Sequence, residues 1–97
     1  MKILVVEDDT DLRRQLTNAL TGRGYTVEEA ADGEEARYLG LEFPYDMAIV
    51  DLGLPKLSGV EVIRQWRTHN IPFPVLILTA RGDWQDKVEG LEAGADD

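Results

Sequence analysis

The stretch that decides the fold is Tyr45-Asp46-Met47-Ala48-Ile49-Val50-Asp51-Leu52-Gly53-Leu54-Pro55, an apolar run that ends in a carboxylate and continues into a loop with glycine and proline. No polar residue interrupts Met47 to Val50, which predicts a strand buried on both faces, as strands are inside parallel sheets. Asp51 then lies at the carboxyl end of a buried strand, at the edge where open α/β sheets bind ligands. A carboxylate in such a place needs a compensating group.

Three further segments have strand character and occur at regular intervals: Ile3–Val6, Tyr25–Ala30 and Val75–Leu78. The second of them is more polar, which favours a position near a sheet edge. A segment with helical spacing of apolar residues follows each strand, and two of these helices begin at capping sequences that pair Asp32 with Glu35 and Ser58 with Glu61. The pattern β-α-β-α-β-α-β-α predicts an α/β fold, a flavodoxin-like, doubly wound parallel sheet with helices on both faces.

The composition is that of one globular domain and argues against several classes of function. The chain has 97 residues, of which 43% are hydrophobic and 30% charged, unlike a disordered chain. A net charge of −9 argues against binding nucleic acid or an anionic membrane through bulk charge. The chain has no cysteine, which excludes disulfides and thiolate zinc sites, and no apolar run reaches the ~18 residues of a membrane span. We expect a cytoplasmic domain that does not contact a membrane.

Acidic and hydroxyl side chains follow three of the predicted strands. Glu7 and Asp8 come directly after the first strand, Asp51 ends the third, and Thr79 follows the fourth. In the flavodoxin-like strand order 2-1-3-4-5 the first and third strands are neighbours, which places Glu7 and Asp8 beside Asp51. Carboxylates about 4–6 Å apart repel one another by a few kcal/mol at an effective dielectric near 20. They must either share protons, with raised pKa values, or hold a cation.

A hard divalent cation bound by these oxygens is the simplest way to offset the repulsion between the carboxylates. Mg²⁺ fits best, because it binds through one or two carboxylates, keeps several waters and leaves positions for phosphate oxygens. Such a site suits phosphoryl transfer, with Asp51 as the nucleophile and an aspartyl phosphate as the product. The Thr79 hydroxyl can then bind a phosphoryl oxygen, and the small Ala80 beside it leaves room. Four arginines are expected on solvated helix faces, the first two beside the site: Arg13, Arg14, Arg64 and Arg67.

Four ordered motifs carry a family resemblance: Val5–Asp9, Ile49–Pro55, Leu78–Arg81 and Gly90–Asp97. Together they resemble the receiver (CheY-like) domain of bacterial two-component response regulators. Two further segments, Ile63–Arg67 and Trp84–Glu89, are similar to the PhoP branch of the OmpR/PhoB class. The resemblance extends over the whole chain and implies a phosphorylatable switch rather than a turnover enzyme.

The resemblance also implies roles for individual residues. Asp51 is the phosphoacceptor and receives its phosphoryl group from a phosphohistidine of a sensor kinase. Asp8, Asp51 and the backbone carbonyl of Gly53 ligate Mg²⁺, Glu7 assists through water, and Thr79 is the switch hydroxyl. Full-length members regulate transcription through a winged-helix domain and dimerise through their fourth helix, fifth strand and fifth helix, so that contact with DNA is made only by that effector domain.

The chain ends at Asp97, before the fifth strand, the fifth helix and the lysine that the family carries on that strand. We therefore expect residues 1–97 to be a receiver domain cut short at its carboxyl end, with strand order 2-1-3-4 and no effector domain. Lys87 lies on a predicted helix and cannot replace the family lysine. The outer edge of Val75–Leu78 then lacks a neighbour, which predicts self-association as a dimer or by exchange of elements.

Other classes of function are compatible with acids at the edge of an α/β sheet. Haloacid-dehalogenase-like phosphatases and Toprim-like nucleases use an Asp-x-Asp sequence, whereas this chain has Glu7-Asp8-Asp9-Thr10 and Asp51-Leu52-Gly53. A flavodoxin-like phosphate site needs a Ser/Thr/Gly-rich loop after the first strand, where this chain has three acids. An interaction module of pseudo-receiver type, which works without metal or phosphorylation, stays open as the alternative.

Overall fold

The four predicted strands form one parallel sheet, in which the first strand lies between the second and the third, and the fourth lies beside the third. The computed structural model describes residues 1–78 and 84–97, with the backbone alone for residues 84–87. In chain order the elements are β1 (Lys2–Val6), α1 (Thr10–Gly22), β2 (Thr26–Ala30), α2 (Gly33–Glu42), β3 (Met47–Asp51), α3 (Gly59–Thr68), β4 (Val75–Leu78) and α4 (Trp84–Ala93). The predicted fold class and strand order are confirmed.

The register of the sheet sets the relative height of the strand ends. β1 pairs with β3 so that Val6 lies beside Val50. Continuing this register by one residue brings Glu7 level with Asp51. On the other side of β3, Asp51 pairs with Leu78, the last residue of β4. The carboxyl ends of three strands therefore meet along one edge of the sheet.

The two faces of the sheet pack against different helices. One face packs on α2, α3 and α4 around the fully buried Trp66, whose ring meets that of Phe73 edge to face with centroids 5.0 Å apart. The opposite face packs on α1 through Leu16 and Leu20. Helices on both faces make the sheet doubly wound, as predicted. Within the described residues, no helix combines the length and the apolar character needed to cross a membrane.

Two helices begin at the residues that the sequence predicted. The Asp32 carboxylate accepts a hydrogen bond from the Glu35 N–H at 2.9 Å, and the Ser58 hydroxyl accepts one from the Glu61 N–H at 3.2 Å. These bonds satisfy backbone donors that have no partner inside the helix. At α3 the Glu61 carboxylate does not complete the predicted capping box, because it pairs with Arg64 at 2.7 Å.

The outer edge of β4 is partly covered by the last residues of the chain. The Asp97 carbonyl accepts a hydrogen bond from the Ile77 N–H at 2.6 Å, and the Asp96 N–H donates to the Val75 carbonyl at 3.0 Å. The Arg67 guanidinium holds this segment through an ion pair with the Asp96 carboxylate at 3.1 Å. The predictions of a wholly uncovered edge and of a solvated Arg67 are therefore wrong. β4 has backbone partners at Val75 and Ile77, and Arg67 is engaged by its neighbours.

Candidate functional site

Glu7 is the one buried charged residue within the described part of the chain, and it lies just beyond β1. It is only 4% exposed. Its backbone N–H donates to the Ala30 carbonyl at 3.1 Å, which continues the pairing of β1 with β2 past the end of the strand. Its Oε1 accepts a hydrogen bond from the Asp9 N–H at 3.1 Å. These bonds hold a carboxylate at the sheet edge, where water has little access to it.

The Asp8 and Asp51 carboxylates lie beside Glu7. Each of the three offers an oxygen, and these oxygens lie within 4.8 Å of one another. Burial raises the pKa of Glu7 from 4.5 to about 7, and the charge of Asp51 and a hydrogen bond with its carboxyl group add to the rise, while the Asp9 N–H opposes it. Protonation of Glu7, or a cation bound beside it, therefore relieves the cost of burying its charge. We call these three residues the acidic cluster.

The loop after Asp51 requires glycine at Gly59. The Gly53 N–H donates to Asp51 Oδ1 at 3.3 Å, and the Gly59 N–H donates to the Leu52 carbonyl at 3.1 Å. A Cβ added at Gly59 would lie 2.4 Å from the Asp51 carbonyl oxygen, well inside van der Waals contact. The start of α3 therefore packs directly on the backbone that carries the Asp51 carboxylate.

The β3–α3 loop is also held from the side of α2. The Gly33 N–H donates to the Pro55 carbonyl at 3.2 Å, and a Cβ added at Gly33 would lie 1.7 Å from the Leu57 carbonyl oxygen. Lys56 has a φ of 69°, in the left-handed region that is unfavourable for residues with a side chain. Its Nζ lies 3.5 Å from Asp32 Oδ2. Contacts with two helices thus set the path of this loop.

The start of α1 contributes two side chains to the surroundings of the acidic cluster. Asp9 caps the helix, because its Oδ1 accepts hydrogen bonds from two backbone N–H groups of the first turn at 3.0 and 3.2 Å. This cap was not predicted from the sequence, although aspartate directly before a helix is its ordinary signal. Of the two arginines predicted to flank the site, Arg13 reaches it and donates from Nη1 to the Glu7 carbonyl at 2.8 Å, while Arg14 is exposed.

The donor set of the acidic cluster fits Mg²⁺. Carboxylate oxygens are the hard ligands that magnesium prefers, and two oxygens bound to one ion at about 2.1 Å lie about 3–4 Å apart. The oxygens of the cluster lie within 4.8 Å of one another, which is close to that range. Asp8 is exposed and Asp51 half-buried, so the outer side of the cluster is open to water and to a phosphate group. Thr79 lies outside the described residues.

Comparison with known proteins identifies the family. The family model of the response regulator receiver domain matches residues 3–97. The chain belongs to the response regulator receiver domain family. The two-component response regulator PhoP of Pseudomonas aeruginosa is 55% identical to it over 97 residues, which are 100% of this chain and 43% of that protein. The chain thus spans less than half the length of this relative.

Solved receiver structures share the fold of the chain. A receiver domain of a sensor histidine kinase from Pseudomonas aeruginosa, with a magnesium ion coordinated in the active site cleft, superposes with a TM-score of 0.91 at 32% identity, covering 99% of this chain and 80% of that one. The response regulator TrrA of Thermotoga maritima, in complex with Mg(2+)-BeF, gives 0.87 at 33% identity, covering 98% and 81%. The predicted receiver fold and the resemblance to PhoP-like regulators are confirmed.

Proposed function

We propose that Asp51 accepts a phosphoryl group from a phosphohistidine of a sensor histidine kinase, and that this receiver domain thereby works as a signalling switch. The observation that carries the proposal is the meeting of Glu7, Asp8 and Asp51 at the carboxyl ends of β1 and β3. Membership of the receiver family supports it. No contact among the described residues favours an interaction module that works without phosphorylation.

The proposed transfer is an in-line displacement at phosphorus. An Asp51 carboxylate oxygen forms a bond to phosphorus as the P–N bond of the donor histidine breaks. The electron pair of that bond passes to the imidazole nitrogen, and the histidine leaves as a neutral ring when its other nitrogen carries a proton. Asp51 is half-buried and open to a donor, whereas Glu7 is enclosed. We further propose that the Thr79 hydroxyl donates a hydrogen bond to a phosphoryl oxygen. Leu78, directly before Thr79 in the sequence, pairs with Asp51.

Mg²⁺ bound at the acidic cluster would neutralise the charge that phosphoryl oxygens bring to an already negative site. We propose Asp8, Asp51 and the backbone carbonyl of Gly53 as its direct ligands, with Glu7 acting through water. The magnesium ion in the active site cleft of the related Pseudomonas receiver supports this proposal. Of the three acids, Glu7 is the least accessible, which agrees with an indirect role.

Within its longer protein, we propose that the domain controls a DNA-binding effector domain and so regulates transcription. The related response regulator PhoP of Pseudomonas aeruginosa is more than twice as long as this chain, which covers 43% of it. We propose residues 1–97 as the receiver portion, with DNA bound only by the effector domain. The switch would act in the cytoplasm and self-associate as a dimer, and it would be modified and reset rather than turn over a substrate.

The test is phosphorylation of the full-length protein by a small-molecule phosphodonor with and without Mg²⁺, followed by intact-mass analysis and mapping of the modified residue. We expect one phosphoryl group, on Asp51, and only when Mg²⁺ is present. Asp51→Asn should abolish the modification, whereas Asp46→Asn, the same change just before the other end of β3, should leave it intact. Modification of a different residue, or equal modification without Mg²⁺, contradicts the proposal.

A further inference from the structure

The turn between β1 and α1, which carries Asp8, is closed by a side chain. Glu7 is the first residue after β1, and its N–H still pairs with the Ala30 carbonyl of β2. Its carbonyl accepts the Arg13 Nη1 hydrogen bond at 2.8 Å, from a residue six positions later in the sequence. The Arg13 N–H bonds in turn to the Asp9 carbonyl at 2.8 Å. Backbone and side chain of one residue thus hold both ends of the segment that presents Asp8.

Arg13 is itself held in place by β2. Its Nε lies 3.7 Å from Glu29 Oε2, and its side chain is only 16% exposed. The same Glu29 oxygen accepts a hydrogen bond from the Thr17 hydroxyl at 2.9 Å, one helical turn further along α1. The guanidinium therefore contacts Glu29 through Nε and the Glu7 carbonyl through Nη1, and its side chain links β2, α1 and the end of β1.

We propose that Arg13 is a positioning residue for the metal ligands, which it orients by holding the Glu7 carbonyl and the turn that carries Asp8. This inference rests on the proposed function, because it concerns Mg²⁺ bound at the acidic cluster. Arg13 donates to a backbone carbonyl beside the ligands rather than to a ligand oxygen. Its role is to set the relative positions of the Glu7 and Asp8 carboxylates before the ion binds.

The position and the charge of Arg13 act on Mg²⁺ affinity in opposite directions. A cation beside the acidic cluster repels Mg²⁺, so that loss of the charge alone strengthens binding slightly. Loss of an outer contact that orients metal ligands weakens affinity, typically by about 10–100-fold. The sign of the change therefore separates a positioning role from an electrostatic one.

The experiment measures Mg²⁺ binding to the full-length protein by isothermal titration calorimetry. We expect Arg13→Gln to weaken Mg²⁺ binding by about tenfold, at the lower end of the range for outer-shell contacts. Arg13→Lys keeps the charge and a shorter donor, and it should recover part of the affinity. Arg14→Gln removes the same charge from an exposed neighbour and should leave the affinity unchanged or slightly higher. Equal affinities in the Arg13→Gln and Arg14→Gln variants overturn the inference.

A second measurement separates positioning from a general loss of stability. Amide hydrogen exchange at Asp8 and Asp9, without Mg²⁺, should be faster in Arg13→Gln than in Arg14→Gln, while exchange in β3 stays the same. If Arg13→Gln does not fold, Glu29→Gln takes its place, because it removes the negative charge beside the guanidinium and keeps an oxygen that can accept the Thr17 hydroxyl. That variant should weaken Mg²⁺ binding by a smaller factor, and unchanged binding there counts against the inference.

Asp8→Asn distinguishes failure of this inference from failure of the proposed function. If Asp8→Asn abolishes Mg²⁺ binding and Arg13→Gln leaves it intact, the metal site stands and the role given to Arg13 is wrong. If Asp8→Asn leaves Mg²⁺ binding unchanged, the proposed metal site is itself wrong and the inference falls with it.

Discussion

The carboxylates near the two ends of the sheet differ in their partners. At the amino end, the Lys2 ammonium pairs at 2.8 Å with the carboxylate of Glu28, which lies in the middle of the edge strand β2, and the Tyr45 hydroxyl donates to the same carboxylate at 2.5 Å. The Asp46 carboxylate accepts the Lys2 backbone N–H at 2.7 Å. The hydrogen bond from Lys2, followed by that from Tyr45, lowers the pKa of Glu28. The charge of Glu28 is thus balanced before any ligand is considered.

At the carboxyl end, the carboxylates lie beside one another instead. Glu7, Asp8 and Asp51 offer oxygens within 4.8 Å of one another, and the pKa of Glu7 is raised to about 7, first by burial and then by Asp51. Repulsion of this kind lowers the stability of the folded state, and proteins keep it where function needs it. The contrast indicates that the carboxylates at the amino end stabilise the sheet, while those at the carboxyl end carry the repulsion that the proposed Mg²⁺ would relieve.

The largest effect that follows from this contrast is a pH dependence of stability set by Glu7. Its pKa in the folded protein lies above its ordinary value of 4.5, at about 7, so the folded state binds more protons than the unfolded state between these two values. Without Mg²⁺, the free energy of unfolding should therefore fall by on the order of 2–3 kcal/mol as the pH rises from about 5 to 8. Chemical denaturation at a series of pH values measures this slope.

Two controls sharpen this first prediction. Glu7→Gln, which cannot ionise, should remove most of the fall between pH 5 and 8. Saturating Mg²⁺ should also flatten it, because the ion replaces the shared proton and compensates the ionised carboxylates. A slope that persists in Glu7→Gln would assign the pH dependence to other groups and would weaken the contrast between the two ends.

A smaller effect is expected when one charge of the acidic cluster is removed. Asp51→Asn takes away both the charge of Asp51 and its carboxyl group as a hydrogen-bond partner of Glu7. Without Mg²⁺ at pH 8, the free energy of unfolding should rise by about 1–2 kcal/mol. In an NMR titration the Glu7 pKa should fall toward 4.5 without reaching it, because burial is the largest cause of its rise.

The matched control for Asp51→Asn is Asp46→Asn at the amino end. Asp46 accepts a backbone hydrogen bond from Lys2, so its neutralisation should leave stability the same or lower it, and the Glu7 pKa should not move. Equal stabilisation by both variants would mean that relief of the overall net charge of −9, rather than local repulsion, explains the gain.

The strands and the acids beside them could be predicted from local patterns, and the strand order comes from the flavodoxin-like fold. Met47–Val50 is apolar without interruption, and acids directly follow both inner strands. In a parallel sheet the carboxyl ends of strands share one edge, so that topology alone brings Glu7 and Asp51 together. The confirmed register, with Val6 beside Val50, is what that reasoning requires.

The contacts of long side chains with distant backbone could not be predicted. Arg64 and Arg67 stand three positions apart on α3, and sequence reasoning placed both in solvent. Arg64 does pair on the helix surface, with Glu61, whereas Arg67 donates to the Ile71 and Phe73 carbonyls at 2.7 and 2.9 Å. Those carbonyls are available only because of the path of the chain after α3, which no periodicity encodes. The sequence does place Arg13 beside the site, but its hydrogen bond to the Glu7 carbonyl could not be predicted, for the same reason.

The smallest expected effect lies at the amino end and has the opposite pH dependence. Glu28→Gln removes the ion pair with Lys2, and because the Glu28 side chain is 39% exposed, the free energy of unfolding at pH 7 should fall by only about 0.5–1 kcal/mol. The pKa of Glu28 in the folded protein is lowered, so its contribution is present above its ordinary pKa of 4.5 and disappears as the pH falls below it. The free energies of unfolding of wild type and Glu28→Gln should therefore converge at acid pH, whereas the effect of Glu7 is greatest at high pH. Mg²⁺ should not alter the difference in stability between wild type and Glu28→Gln. Denaturation of both proteins with and without Mg²⁺ tests this, and a Mg²⁺-dependent difference would mean that the two ends of the sheet are energetically coupled rather than independent.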